Sequence, residues 1–282
     1  MKKKHLLAGL LAAAAILTAG CGRAPEAPAV YSNLTEDSIR YDLDSLLQTA
    51  GVPDASRSRF FKSVDQFNEI MSPAQLTEGF TAFGETRYDP YDLQERWMES
   101  YPDFLGYNCR ITAFSLFADP FLTIPVPEIT PDTELMEFDL DSIGAAPGVF
   151  PGKERQFLSF YSPVPTEPTK DEKFHAEKVK NAWHDRGISF QDSENIRMIN
   201  LFYHFQEGEK NLLYAGHAGI LLPTPDGDLW FVEKLAFQEP YQVVKFGSRK
   251  QLQDYLMEKY DLDENQPTAR PFILENDALM KV

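Results

Sequence analysis

The chain has 282 residues, with 27 Lys+Arg against 43 Asp+Glu for a net charge of −16, and its 21 Phe and 12 Tyr supply ample core material. So acidic a chain argues against charge-driven binding to nucleic acid or to anionic lipid headgroups. Its length suffices for one large domain or two small ones.

The first residues, Met1-Lys2-Lys3-Lys4-His5, give a basic start, Leu6 to Ala19 an apolar core, and Gly20-Cys21 a small-residue boundary. This is the order of a secretory signal. The apolar core is shorter than the about 20 residues a bilayer-spanning helix needs. Leu17-Thr18-Ala19-Gly20-Cys21 resembles the lipobox of bacterial lipoproteins. That resemblance implies removal of residues 1–20 as a signal peptide and lipidation of Cys21; an ordinary signal cut nearby is the alternative. Residues 22–33 carry proline and alanine without apolar periodicity, so 21–33 is expected to be a lipid-anchored flexible linker. The expected location is extracytoplasmic, on a bacterial membrane. With Cys21 lipidated, Cys109 has no disulfide partner, and an unpaired cysteine in an exported protein is a candidate reactive thiol.

The body, 34–282, opens with helical periodicity. Thr35 is placed to cap a helix with Glu36 and Asp37 in its first turn, Ile39, Leu43, Leu46 and Leu47 share a face, and Gly51 ends it. Phe60, Val64, Phe67 and Met71 mark a second helix. Asp89-Pro90 opens a third, with proline where its missing N–H costs nothing. A fourth is predicted to start near Asn108 and stop at Asp119-Pro120. The proline-punctuated middle, 120–168, predicts loops with a strand at Leu135 to Leu140, and these loops are expected to wall a cleft. Thr169-Lys170-Asp171-Glu172 has capping-box spacing and opens a helix carrying Val179, Ala182, Trp183 and Arg186 on one face, closed by Gly187. His175 and His184 on that helix are expected to be solvated.

From 198 the period changes to two. Ile199, Leu201, Tyr203 and Phe205 alternate with Met198, Asn200, Phe202 and His204, and strands are predicted at about 212–222, 228–235 and 241–246. Ser248-Arg249-Lys250-Gln251 is another capping box, before Leu252, Tyr255 and Leu256, and Ala269 to Ile273 predicts a last strand. Helices first and a mostly antiparallel sheet afterwards make a single α+β domain.

One stretch, Ala215-Gly-His-Ala-Gly-Ile-Leu-Leu-Pro-Thr-Pro-Asp-Gly-Asp-Leu-Trp-Phe-Val-Glu233, sets a histidine and an acid in an apolar strand pair. A three-residue loop at Pro225-Asp226-Gly227 sets Glu233 opposite Gly219 and puts His217 and Glu233 on one face along a diagonal. A two-residue loop would put them on opposite faces. Gly216 and Gly219 leave room beside the histidine for a helix end to approach. Cys109 stands in the first turn of the fourth helix, where the partial positive charge favours thiolate, the nucleophilic form. Each residue has a plainer reading: Cys109 as a small core residue, His217 as a strand-end histidine, Glu233 as a surface acid. His204 is expected to be a satisfied sheet histidine. Neither metal-ligand spacing nor a phosphate loop is present, and no cofactor is expected.

A cysteine at a helix start, a Gly-His opening a strand and a polar residue on the next strand resemble the papain-like cell-wall hydrolases of the NlpC and amidase types. The resemblance implies Cys109 as nucleophile, His217 as general base and Glu233 as orienter, acting on an amide in peptidoglycan peptide. It also implies an oxyanion donor beside the Cys109 N–H, for which Tyr107 and Asn108 are the candidates. The chain departs from the family's Asp-Cys-Ser-Gly, reading Asn108-Cys109-Arg110-Ile111. It is also similar to an uncharacterised family of bacterial lipoproteins, a domain of unknown function. The alternative is a non-catalytic surface lipoprotein that uses the same fold as a binding module.

Overall fold

A computed structural model describes residues 26–71, 75–84, 88–146, 148–263 and 265–282. The first strand, β1 (Val30–Ser32), lies where a flexible linker was expected. It hydrogen-bonds along the sheet, and Asn33 after it is buried with its amide donating to the Tyr241 carbonyl at 3.2 Å. The body therefore begins four residues earlier than residue 34.

Four helices follow, broken only by a short strand. In α1 (Asp37–Ala50), Ile39, Leu43 and Leu47 are buried, and Gly51 ends the helix in the left-handed region at φ 98°. Thr35 does not cap it; its hydroxyl donates to the Thr77 carbonyl at 2.8 Å, and Glu36 takes the capping position without a side-chain bond. In α2 (Asp54–Ile70), Phe60, Val64 and Phe67 are buried. β2 (Thr81–Ala82) precedes α3 (Pro90–Ser100), which Asp89 caps. α4 (Cys109–Phe121) is buried almost all round and runs one residue past Pro120. The predicted stop fails because a proline in the last turn removes one donor without breaking the turns before it.

The middle is more ordered than its prolines suggest. After β3 (Leu122–Thr123) come α5 (Glu137–Ala145), α6 (Glu154–Tyr161) and β4 (Val164–Pro165). The strand predicted at Leu135 to Leu140 is instead a turn at Leu135, the N-cap Met136 and the start of α5 from Glu137. Two acids sit in its first turn, and Asp139, Ser142 and Ile143 are buried at helical spacing. α7 (Glu172–Asp185) is capped by Asp171 and not Thr169. His175 on it is not solvated: it is fully buried, 2.8 Å from both Thr166 Oγ1 and the Thr169 carbonyl.

After β5 (Ser189–Phe190), the C-terminal part supplies β6 (Arg197–Glu207), β7 (Lys210–Pro223), β8 (Leu229–Lys234), β9 (Tyr241–Phe246), α8 (Arg249–Tyr260), β10 (Phe272–Glu275) and β11 (Ala278–Leu279). The large sheet has the order β11-β10-β6-β7-β8-β9-β1-β2, with β4 also on β7, and every pairing is antiparallel. α4 packs on β7 and β8. Met198, Ala218, Ile220, Val232 and Val243 join the helical core on that face; Leu201, Leu221, Phe231 and Val244 pack against Leu252 and Leu256 of α8 on the other. The arrangement is α+β, with the N-terminal helices on one face of a largely antiparallel sheet. Among the described residues no helix is long and apolar enough to cross a membrane.

Candidate functional site

Cys109 is the first residue of α4. Asn108 Oδ1 accepts the Ile111 N–H at 3.0 Å, so the helix begins where the sequence places it. The unpaired N–H groups of the first turn then set a partial positive charge at the thiol. A buried ion pair fixes this helix end. Arg110 Nε donates to Asp139 Oδ1 at 3.2 Å, its Nη2 pairs with Oδ2, and Asn108 Nδ2 donates to Oδ1 at 3.0 Å. Asp139 comes from α5 and is fully buried. Arg110 Nη1 also donates to the Ala215 carbonyl at 3.2 Å, which ties α4 to β7.

On β7 the ladder to β6 slips once. Leu201 opposes His217, Phe202 opposes Ala215, and Gly216 is left as the extra residue of a bulge. The bulge sets the Gly216 carbonyl 4.0 Å from Cys109 Sγ. The Ala218 N–H and the His217 imidazole both act electrostatically on the sulfur. The space beside the two glycines is not held by a helix end, as expected, but by rings. A Cβ at Gly216 would fall 2.2 Å from the Tyr203 ring, and one at Gly219 2.3 Å from the Phe231 ring.

The β7–β8 turn has the predicted register. Thr224 N–H donates to the Asp228 carbonyl at 2.8 Å, Gly227 has φ 94°, and Glu233 opposes Gly219. His217 and Glu233 therefore share a face, and Nε2 lies 2.5 Å from Glu233 Oε2, both side chains closed to water. Glu233 Oε1 accepts from Gln242 Nε2 at 2.7 Å and from the Tyr255 hydroxyl at 2.6 Å. The other ring nitrogen, His217 Nδ1, is 2.9 Å from the Tyr260 hydroxyl.

Burial pushes the Cys109 thiol up, but the His217 charge and hydrogen bond, Arg110 and the Ala218 N–H outweigh it and hold the thiol below its ordinary value. Burial pushes His217 down, and Cys109 and Glu233 outweigh it, raising the imidazole to about 9. Burial likewise pushes Glu233 up, and His217, Lys259 and Tyr255 hold it below the usual carboxylate value. The three directions agree: they favour a thiolate and an imidazolium backed by a carboxylate.

Four partners of this site escaped the sequence. Gln242 sits opposite Glu233 in the β8–β9 register, a pairing that needs the length of the 235–240 loop. Tyr255 reads as one more apolar position on its helix. Tyr260, four residues beyond Leu256 and eight beyond Leu252, likewise reads as one more apolar position on that helix. Asp139 carries no local sign of its pairing with Arg110. The two oxyanion candidates are engaged elsewhere. The Asn108 amide is used at both ends, and the Tyr107 hydroxyl donates to the Ala146 carbonyl at 3.2 Å. The thiol itself is covered, Cys109 being 6% exposed. Within 120–168, a hollow of about 720 Å³ is lined by Val126, Pro131, Ser162 and Arg186, and by none of Cys109, His217 and Glu233, while Leu135 and Asp139 of the same segment hold Arg110 beside the thiol. His204 is a satisfied sheet histidine, bonded to Asn211 and to the Ala269 N–H. Among the described residues no cluster of His, Cys, Asp and Glu could hold a metal ion. Cys21 and the expected signal lie outside the described residues.

The family described as Domain of unknown function (DUF4300) matches residues 30–280. The chain belongs to this family. No curated protein and no solved structure matches the chain. The matched span starts on the first residue of β1 and takes in α1 through α8, so Cys109, His217 and Glu233 all lie within the DUF4300 domain.

Proposed function

We propose that this protein is a cysteine hydrolase of amide bonds, held outside the cytoplasm by a lipid on Cys21, with cell-wall peptide as its substrate. The observation that carries the reading is a helix-start cysteine whose sulfur lies 4.0 Å from the Gly216 carbonyl, beside a histidine whose Nε2 is 2.5 Å from a buried glutamate. A cysteine helix packed against an antiparallel sheet that presents the histidine and its orienter is a papain-like arrangement, and this is the fold reading we adopt. The cell-wall substrate rests on location and on that resemblance. Residues before β1 already lie against the body, the Ala27 carbonyl accepting from Gln251 Nε2 at 2.7 Å, so any leash ends before residue 26.

In the reaction the Cys109 thiolate attacks the carbonyl carbon, and the C–S bond forms. The His217 imidazolium gives its proton to the departing amine nitrogen as the C–N bond breaks. Neutral His217 then takes a proton from water, the hydroxide attacks the thioester, and the thiol is released with the acid. Glu233 holds the imidazole through Nε2, which leaves Nδ1 to exchange the proton. The covered thiol and the engaged Asn108 and Tyr107 favour a second reading, a binding module in which Cys109 is a core residue.

The test is alkylation of Cys109 by iodoacetamide against pH, read by site-resolved mass spectrometry on the full-length chain. A working pair gives a midpoint well below the free-thiol value of about 8.5, moved up toward it in His217→Ala. A midpoint at the free-thiol value that ignores the histidine, or labelling only after denaturation, sinks the hydrolase and leaves the binding module.

A further inference from the structure

Three polar side chains surround the His217 imidazole, with the Phe231 ring edge-on beside it, and only Cys109 and Glu233 belong to the relay above. The third is Tyr260, the last residue of α8. Its hydroxyl is 2.9 Å from Nδ1, and its ring stacks on the imidazole with centroids 4.6 Å apart and planes 25° apart. The Tyr260 carbonyl accepts from the Tyr203 hydroxyl at 2.9 Å. Tyr203 in turn is the ring that fills the space over Gly216, whose carbonyl faces the Cys109 sulfur. Tyr260 is half-buried, while His217 and Cys109 are buried.

This placement sets up a competition. Glu233 occupies Nε2, so Nδ1 is the nitrogen through which a thiol proton must pass, and the Tyr260 hydroxyl already holds it. Burial keeps that hydroxyl protonated, raising its pKa with help from Glu233 and Cys109. While the ring is an imidazolium, Nδ1–H donates to the hydroxyl oxygen; once it is neutral, with Nε2–H toward Glu233, the hydroxyl donates to Nδ1 and favours that neutral form. The hydroxyl therefore opposes transfer of the thiol proton, and the ring covers the group that would receive it.

We propose that Tyr260 is the gate and a positioning residue of the Cys109–His217 pair: its ring covers the imidazole, its hydroxyl holds Nδ1, and a substrate carbonyl reaches the sulfur when the ring moves aside. The proposal rests on the hydrolase reading only for what the gate protects. Other titratable groups act on the same trio and stay constant in the test. They are Tyr88; Arg110 and, through it, Asp139; Tyr161 of α6; Tyr203 of β6; Lys234 of β8; Glu239; and Tyr255 and Lys259 of α8.

The experiment is the Cys109 alkylation profile of the full-length chain in Tyr260→Ala and Tyr260→Phe, each with and without His217→Ala. Removing the ring is expected to raise the limiting labelling rate about ten-fold or more, because access then needs no local opening. Phenylalanine keeps the cover but not the hydroxyl. Its limiting rate is expected to stay near that of the native protein, while the midpoint falls by about half a pH unit as the neutral imidazole loses its donor. An unchanged rate in Tyr260→Ala overturns the gate, and an unchanged midpoint in Tyr260→Phe overturns the positioning role. A fast alanine protein whose midpoint is ordinary and indifferent to His217 keeps the gate and overturns the hydrolase instead. Thermal melts accompany each variant. Should the alanine protein unfold, Tyr260→Leu, which restores apolar bulk without the stack, takes its place with the same expectations.

Discussion

At Glu233 one carboxylate takes three hydrogen bonds, from His217, Gln242 and Tyr255, in a position closed to water. Few other side chains would serve there. A glutamine offers an N–H where His217 needs an acceptor, so Glu233→Gln removes the charge that stabilises the imidazolium while nearly preserving shape. We expect its Cys109 midpoint to move up toward the free-thiol value of about 8.5, by the same alkylation readout. The stability sign follows from the carboxyl being held below its ordinary value. Such a group adds stability above its unfolded value, about 4.3, and loses it as pH falls through the folded value. Urea unfolding at a series of acid pH values should therefore fall less steeply in Glu233→Gln than in the native protein.

On the scale of elements, the site depends on how α4 is seated on β7. Arg110 and Asp139 anchor its first turn, with side-chain exposures of 11% and 0%. Their attraction is opposed by desolvation on both sides, so the pair fixes position more than it adds net stability. Breaking it is a different matter. Asp139→Ala leaves a buried guanidinium with two carbonyls and no counter-charge, and the expected loss is about 3–5 kcal/mol in urea unfolding. The bulge at Gly216 is the second positioning device, since it brings His217 and the Ala218 N–H together at one sulfur. The β7–β8 turn is the third: with side-chain period two, a one-residue slip there would turn Glu233 away from His217.

For the molecule as a whole, the N-terminal strand is what completes the sheet. β1 lies between β9 and β2, and Tyr31 stacks on Phe83, which stacks on Tyr255, with centroids 4.8 and 5.3 Å apart. That chain of rings ends on a side chain that bonds Glu233. A protein starting at residue 34 loses β1 and leaves β9 as an open edge. One starting at residue 26 keeps both. Thermal melts should separate the two by more than about 3 °C, with the shorter protein the less stable. Equal melting points would mean that β1 contributes nothing to the body.

The sequence by itself determined the parts governed by neighbours a few residues apart. The start of α4 at Asn108-Cys109 follows from a cap, the end of α1 at Gly51 from a left-handed glycine, and the His217–Glu233 face from the chemistry of one turn. Where two local signals competed, tertiary contacts chose. Thr35 bonds a distant carbonyl instead of capping, and Leu135 to Leu140 start a helix whose Asp139 meets Arg110. The linker's last residues became a strand because β9 offered an edge, which no periodicity in residues 30–32 announces. The approach of α4 to the strand of His217, 108 positions from Cys109 in the chain, and the stacking of Tyr260 on that histidine were decided only by packing. They depend on which helix lies on which strand, and that is settled by burial of the whole core at once and not by any short stretch of it.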